Sequence, residues 1–287
     1  MPMELAIGLD DIATEKALSS GWSCVVLPKT EVAKFAAESQ KLLPKGMTEF
    51  HAKKFSQKKP AHCQAYGDFL ALLRKTAETA PGALLASTLN DQTWHADLTS
   101  SADRLVTSVF AALKITDQTI AAGAKAAAPA LFTLQRLLTS FPVSPAAVHL
   151  LEIDRTTTTA HFGAQTVQVN GRALPATRLL ATLAESYREH LFPKSPELDR
   201  SAITIVDSST SFLVQAADVL GNFSMNYVIR NLGPTTAGRT KKAEIFESVF
   251  HDILAHTEFE KLASLSGPDF ELALKQAGAL TFKVQHE

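Results

Sequence analysis

Short apolar runs alternate along the chain with longer stretches in which apolar residues recur every three or four positions. The runs Leu5–Leu9 (LAIGL), Trp22–Leu27 (WSCVVL), Ala83–Leu89, Val148–Ile153 and Ala202–Val206 (AITIV) predict strands. Pro28 ends the second, because proline cannot donate to a sheet ladder. Helical spacing over Glu31–Leu43 (Val32, Phe35, Ala36, Leu42, Leu43) predicts a helix closed by Pro44 and Gly46. A second helix is predicted from Pro60 to Ala80, stopped by the Pro81-Gly82 turn. The alanine- and leucine-rich residues 98–140 predict two helices broken near Pro129. Asn170-Gly171 predicts a hairpin, with an extra β-arm over Ala160–Arg172. Leu174–Leu191 and Phe212–Ile229 read as helices and Gly233–Lys242 as a loop. Helices from Ala243 to Leu262 and from Phe270 to Ala277 are expected to finish the chain.

Strands alternating with helices, some apolar on both faces, predict an α/β fold whose sheet is covered on both sides. No linker divides the chain cleanly. The expected organisation is one domain over residues 1–232 with helical insertions, and a helical extension over 233–287 packed on it. Composition supports a packed core: of 287 residues, 46% are hydrophobic and 20% charged, which excludes a disordered chain. The longest apolar stretch, Ile120–Leu134, is interrupted by Lys125 and Pro129, and a bilayer span needs ~20 apolar residues. No membrane association is expected. The opening MPMELAIGLDD has no basic stretch and does not read as a secretory leader. Cys24 and Cys63 are the two cysteines and form no CxxC, so a reduced, cytoplasmic setting is expected.

Candidate chemistry lies where strands end in acids: LAIGL-Asp10-Asp11, LLEI-Asp154 and ITIV-Asp207. If these strands are parallel, the carboxylates gather at one end of the sheet, where ligands bind in open α/β folds. Crowded carboxylates repel unless a cation neutralises them, and hard oxygen ligands suit Mg²⁺ or Mn²⁺. Each aspartate also fits a plainer role, as a turn residue or helix cap, and Asp91 reads as such a cap. The helix after the fifth strand carries Ser211, Gln215, Asp218, Asn222 and Asn226 on one stripe with neither lysine nor glutamate. This favours a cleft wall, with Gln215 and Asn222 lining it and Asp218 reaching the strand ends. In TEFHAKKF, Glu49 is a further candidate ligand, His51 a proton-transfer group, and Lys53 and Lys54 contacts for a phosphate backbone. For the lysines alone, a solvated surface is the better-supported reading, because charge runs usually mark solvated faces. There is no GxxxxGK[ST], GxGxxG, HExxH or GxSxG.

In order and strand context these motifs resemble the domain of unknown function 3800 family. Its members open with a strand ending in Asp-Glu-Ser, against Asp10-Asp11-Ile12 here. The family's Glu-Leu-Lys/His segment resembles Glu49-Phe50-His51. Its closing acid-Ser and Gln-Leu-Ala-Asp motifs resemble Asp207-Ser208-Ser209 and Gln215-Ala216-Ala217-Asp218. The resemblance covers roughly Leu5–Ile229. It implies a ribonuclease-H-like, mixed five-stranded sheet with helices on both faces and helical insertions, whose first, fourth and fifth strands are adjacent and parallel.

The leading expectation is therefore a metal-dependent nuclease. Asp10, Asp154 and Asp218 would hold Mg²⁺ or Mn²⁺, and Glu49 and Asp207 would complete or orient that shell. His51 would move protons, and Lys53 and Lys54 would contact substrate. The alternatives are a non-catalytic module binding nucleic acid or protein, and a metal phosphohydrolase of small substrates. A formal net charge of −1, from 28 basic and 29 acidic side chains, requires any nucleic-acid contact to use a local patch. Basic residues at 53–59 and Arg239–Lys242 are the candidates for it. The oligomeric state is left open, a homodimer included.

Overall fold

The computed structural model describes residues 2–12, 20–139, 141, 143, 146–155, 165–169, 171–230, 232 and 235–286. The fold is α/β, built on a mixed sheet of seven strands among these residues. They are β1 (Met3–Asp11), β2 (Ser20–Pro28), β3 (Leu84–Asn90), β4 (Ala146–Asp154), β7 (Glu197–Leu198), β8 (Ile203–Val206) and β9 (Ala279–Gln285). The order across the sheet is β7-β4-β1-β2-β3-β9, with β8 also beside β4. β1, β2, β3 and β9 pair antiparallel in turn, whereas β4 runs parallel to β1, β7 and β8.

Register sets the outcome for the site. Leu9 lies opposite Ile153, and Asp154 opposite Val206, so β1, β4 and β8 finish at the same end of the sheet. The central strands are apolar on both sides because each face carries its own core. On one face pack α1 (Lys29–Leu42), α2 (Pro60–Thr79), α6 (Phe212–Ile229), α7 (Ala237–Leu254), α8 (Glu258–Ala263) and α9 (Gly267–Ala277). On the other lie α3 (Gln92–Leu113), α4 (Gln118–Leu138) and α5 (Thr177–Leu191). Along β1, Ala6 enters the first core while Leu5, Ile7 and Leu9 enter the second. That is the two-residue alternation of a strand with two apolar faces.

Aromatic rings dominate the first core. Phe50 stacks on Phe69 at 4.1 Å, and Tyr66 on Phe223 at 5.6 Å. Each fully buried ring contributes on the order of 1.5–3 kcal/mol of apolar transfer.

Several expectations are corrected. The break within residues 98–140 is not at Pro129, which lies buried inside α4. It falls at 114–117, where Lys114 adopts a left-handed φ of 56° and Asp117 caps α4 by accepting from the Thr119 and Ile120 N–H groups. The predicted loop over Gly233–Lys242 is helical from Ala237, with Thr236 as its cap. The 233–287 segment is not wholly helical: β9 pairs along the whole of β3. Asp91 caps α3, accepting from the Trp94 N–H at 2.6 Å.

The hairpin is formed by β5 (Thr166–Val169) and β6 (Arg172–Pro175), with Gly171 at φ 76° in the turn. Asn170 and residues 160–164 of the predicted arm lie outside the described residues. No helix among the described residues is long and apolar enough to cross a membrane.

Candidate active site

β1 and β4 are parallel neighbours, so their ends deliver Asp10 and Asp154 together. The third carboxylate comes from α6, which crosses the sheet unusually close to β1. A Cβ on Gly8 would stand 2.3 Å from the Leu213 carbonyl carbon, and one on Gly221 would stand 2.6 Å from Ser23 Oγ. Only glycine allows that approach. Polar clasps hold it, with the Ser23 hydroxyl donating to the Ala217 carbonyl and Ser87 Oγ 2.8 Å from Ser224 Oγ. Asp218, one residue after Ala217, is thereby held within electrostatic reach of both strand-end acids.

Their proton affinities record this. Burial, followed by the charges of Asp218, Asp154 and Asp11, holds the Asp10 carboxyl well above the usual carboxylate range. A hydrogen bond at 2.9 Å from the Asp11 N–H opposes the rise. Asp154 is raised as well, first by burial and then by Asp218 and Asp11, against an opposing hydrogen bond from the Arg155 backbone.

A second layer fixes Asp218. Its Oδ2 accepts from His51 Nδ1 at 2.7 Å and from the Ala52 N–H at 2.6 Å. The hydrogen bond to Asp218 raises the His51 pKa, outweighing the opposing effect of burial. Tyr66 clamps the same segment, its hydroxyl donating to the His51 carbonyl at 2.6 Å and accepting from the His51 N–H at 3.2 Å. With Nδ1 committed to Asp218, Nε2 is the ring nitrogen left to exchange a proton.

Gln215 is fully buried. It accepts from the Phe50 N–H and donates to the Ser208 carbonyl, both at 2.9 Å, tying the Glu49–His51 segment to the turn after β8. Glu49 is buried too, with Lys54 as its ion-pair partner and Ser208 Oγ 3.5 Å away.

The remaining expected site residues lie elsewhere or act differently. Asp207 is exposed and does not join Asp10, Asp154 and Asp218. Its Oδ1 accepts from the Ser209 N–H and hydroxyl, which holds its carboxyl below the usual range and starts a short 3₁₀ turn. The plainer role of capping residue applies to it. Lys53 and Lys54 are exposed on a 3₁₀ turn directly after His51.

The polar stripe of α6 is not an open cleft wall along its length. Ser211, Gln215 and Asn226 are buried, and Ser211 caps the helix while donating to Glu152. Asp218 and Asn222 are the partly buried members, the Asp218 side chain keeping 14% of its exposure. Asn222 Oδ1 accepts from Lys242 Nζ at 2.7 Å and from Asn226 Nδ2 at 3.1 Å.

Tyr66 and Lys242 are site neighbours that motif reading did not single out. Lys242 was visible only within a group of basic residues, and nothing in the local sequence marks Tyr66.

The arrangement concentrates negative charge at one end of the sheet, with a histidine hydrogen-bonded to it and cationic side chains beside it. Its hard oxygen donors suit a divalent cation. Among the described residues, however, no three His, Cys, Asp or Glu side chains are gathered closely enough to hold a metal ion as they stand. Comparison of the chain with family models, with curated proteins and with solved structures finds no match.

Proposed function

We propose that the chain is a metal-dependent nuclease of ribonuclease-H-like architecture. The observation that carries this reading is that two parallel strands and one helix bring Asp10, Asp154 and Asp218 within electrostatic reach of one another at one end of the sheet. Burying mutually repelling carboxylates costs stability unless a cation offsets the repulsion. The sheet pattern supports the same reading: an antiparallel β3-β2-β1 meander extended by parallel β4 and β8 fits the architecture that the family resemblance implies.

Asp10, Asp154 and Asp218 would hold Mg²⁺ or Mn²⁺. A bound divalent ion polarises a phosphoryl oxygen and lowers the pKa of water. The chain's own residues do the rest. Asp218 orients the His51 ring, leaving Nε2 to take or return a proton. Lys53 and Lys54 face solvent beside His51, where a phosphate backbone would lie. Glu49 and Gln215 position that segment. The turn begun by Asp207 presents Ser208, whose hydroxyl meets Glu49 and whose carbonyl meets Gln215.

The test is cleavage of DNA and RNA oligonucleotides with Mn²⁺ by the native protein and by Asp10→Ala and Asp218→Ala. Native cleavage lost in both variants supports the assignment, and cleavage unchanged in both refutes it. One observation favours a second reading, a non-catalytic binding module: the carboxylates do not stand as a ready-made metal cage. Titration calorimetry with Mn²⁺ separates the two, since the nuclease reading requires binding heat that Asp10→Ala abolishes.

A further inference from the structure

Lys242 comes within electrostatic reach of Asp218 from a separate element. It lies on α7, which packs along α6, and its ammonium is 2.7 Å from Asn222 Oδ1, one helical turn beyond Asp218. It is held over two aromatic rings, 5.8 Å from the centre of Phe55 and 5.7 Å from that of Phe223. Phe223 is fully buried, and Phe55 packs edge-on against it at 5.4 Å. The head group is thus fixed by a neutral amide and two ring faces.

A half-buried ammonium normally acquires a carboxylate partner, because isolated buried charge is costly. Here the hydrogen-bond partner is an uncharged amide, and Asp218 acts on Lys242 only as a nearby charge. Burial lowers the Lys242 pKa to about 8, which still leaves the cation predominant at pH 7. Lys53 and Lys54 differ: both are exposed, and Lys54 already pairs with Glu49. Among the three lysines, Lys242 is the pre-positioned one.

We propose that Lys242 is a substrate-binding residue whose ammonium takes a non-bridging oxygen of the phosphodiester lying against Asp218. The inference rests on the nuclease reading and adds to it a phosphate contact supplied by α7. An anionic oxygen there would give the ammonium the counter-charge that Asn222 does not.

The experiment uses the full chain with its carboxylates intact, Ca²⁺ in place of Mn²⁺ to fill the site without supporting turnover, and fluorescein-labelled single-stranded DNA and RNA. Binding is read by anisotropy across a salt series. Lys242→Met keeps the stem over the rings and removes the charge; Lys242→Arg keeps the charge. The expected result for Lys242→Met is affinity weakened about tenfold or more. Its plot of log affinity against log salt should be shallower by about 0.7, the loss of one phosphate contact. Lys242→Arg should retain the native slope.

Affinity and slope unchanged in Lys242→Met overturn the proposal. So does weaker binding at unchanged slope, which marks a packing role. Failure of the nuclease reading is seen separately, as cleavage by otherwise native protein that survives Asp10→Ala and Asp218→Ala. If neither oligonucleotide binds the native chain, the Lys242 proposal falls, and the cleavage assay alone decides the nuclease reading.

Discussion

Gly8→Ala tests whether the close crossing of α6 over β1 sets the site. The added methyl would meet Leu213 at three points, its carbonyl carbon at 2.3 Å, its carbonyl oxygen at 2.4 Å and its Cβ at 2.7 Å. Ordinary van der Waals contact begins at 3.4 Å, so relief requires a separation of 3.4 − 2.3 = 1.1 Å. Two of the three opposing atoms are backbone, so no rotamer change provides it. The start of α6 must lift from β1, drawing Asp218 away from Asp10. Overpacking of this kind costs about 1–3 kcal/mol, and the backbone clash places Gly8→Ala at about 3 kcal/mol. A displacement near 1 Å in a catalytic group costs on the order of 100-fold in rate. Urea unfolding should show a lower midpoint at unchanged slope, and on the proposed nuclease reading Mn²⁺-dependent cleavage should fall with it. Gly67→Ala is the control: the nearest atom to its new Cβ would be Ile245 Cγ2 at 3.8 Å. Alanine in that helix should stabilise by up to about 1 kcal/mol. If Gly8→Ala is as stable as the native protein and cleaves as well, the close-approach argument is wrong.

Gln215→Ala leaves the Phe50 N–H and the Ser208 carbonyl without their partner in a buried setting. It should cost about 1–3 kcal/mol in chemical denaturation and free the Glu49–His51 segment to proteolysis. In chelator-treated protein, NMR titration should place the His51 pKa above that of an unperturbed histidine, and Asp218→Asn should lower it. A raised folded-state value stabilises fully below the unfolded pKa of about 6.5 and ceases to do so as pH rises through the folded pKa. Stability lost over that window should therefore shrink in Asp218→Asn. Asp10 behaves oppositely, since its raised carboxyl favours the neutral form and ionising it opposes folding. Asp10→Asn should melt above the native protein at pH 7 in chelator, and an equal or lower melting temperature would contradict the crowding.

Much of this was legible in local pattern. Strand-end acids follow from apolar runs that stop at a polar residue, and that pattern places Asp10 and Asp154 at neighbouring strand ends. Asp207 has the same signature and a different fate, because Ser209 supplies both a backbone and a hydroxyl donor to its carboxylate. A carboxylate that satisfies its own turn has little reason to face its neighbours. The stripe on α6 is polar in sequence, but it is buried rather than an open cleft wall along its length, through tertiary neighbours such as Glu152, Phe50 and Ser208 that helical spacing does not reveal. Pro129 does not mark the break because an isolated proline can sit inside a long packed helix, whereas a left-handed Lys114 ahead of an Asp117 cap makes it. The β9 run ALTFKVQ does alternate, burying Leu280, Phe282 and Val284, so that signal was present. The nearness of Lys242 to Asp218 arises from the packing of α7 on α6, which no short-range pattern encodes.

β9 also governs how the molecule meets other copies of itself. All seven residues of β3 are buried, and β9 satisfies the backbone on its outer side from Leu84 to Asn90. An apolar strand left at a sheet margin is a template for intermolecular pairing. β9 moves the margin outward to a strand bearing Lys283, which is anchored to α4 through the Leu137 carbonyl at 3.1 Å. Peeling β9 away would leave the carboxylate end of the sheet, three strands distant, intact at first. It would also convert β3 into a sticky edge, so solubility would fail before chemistry did.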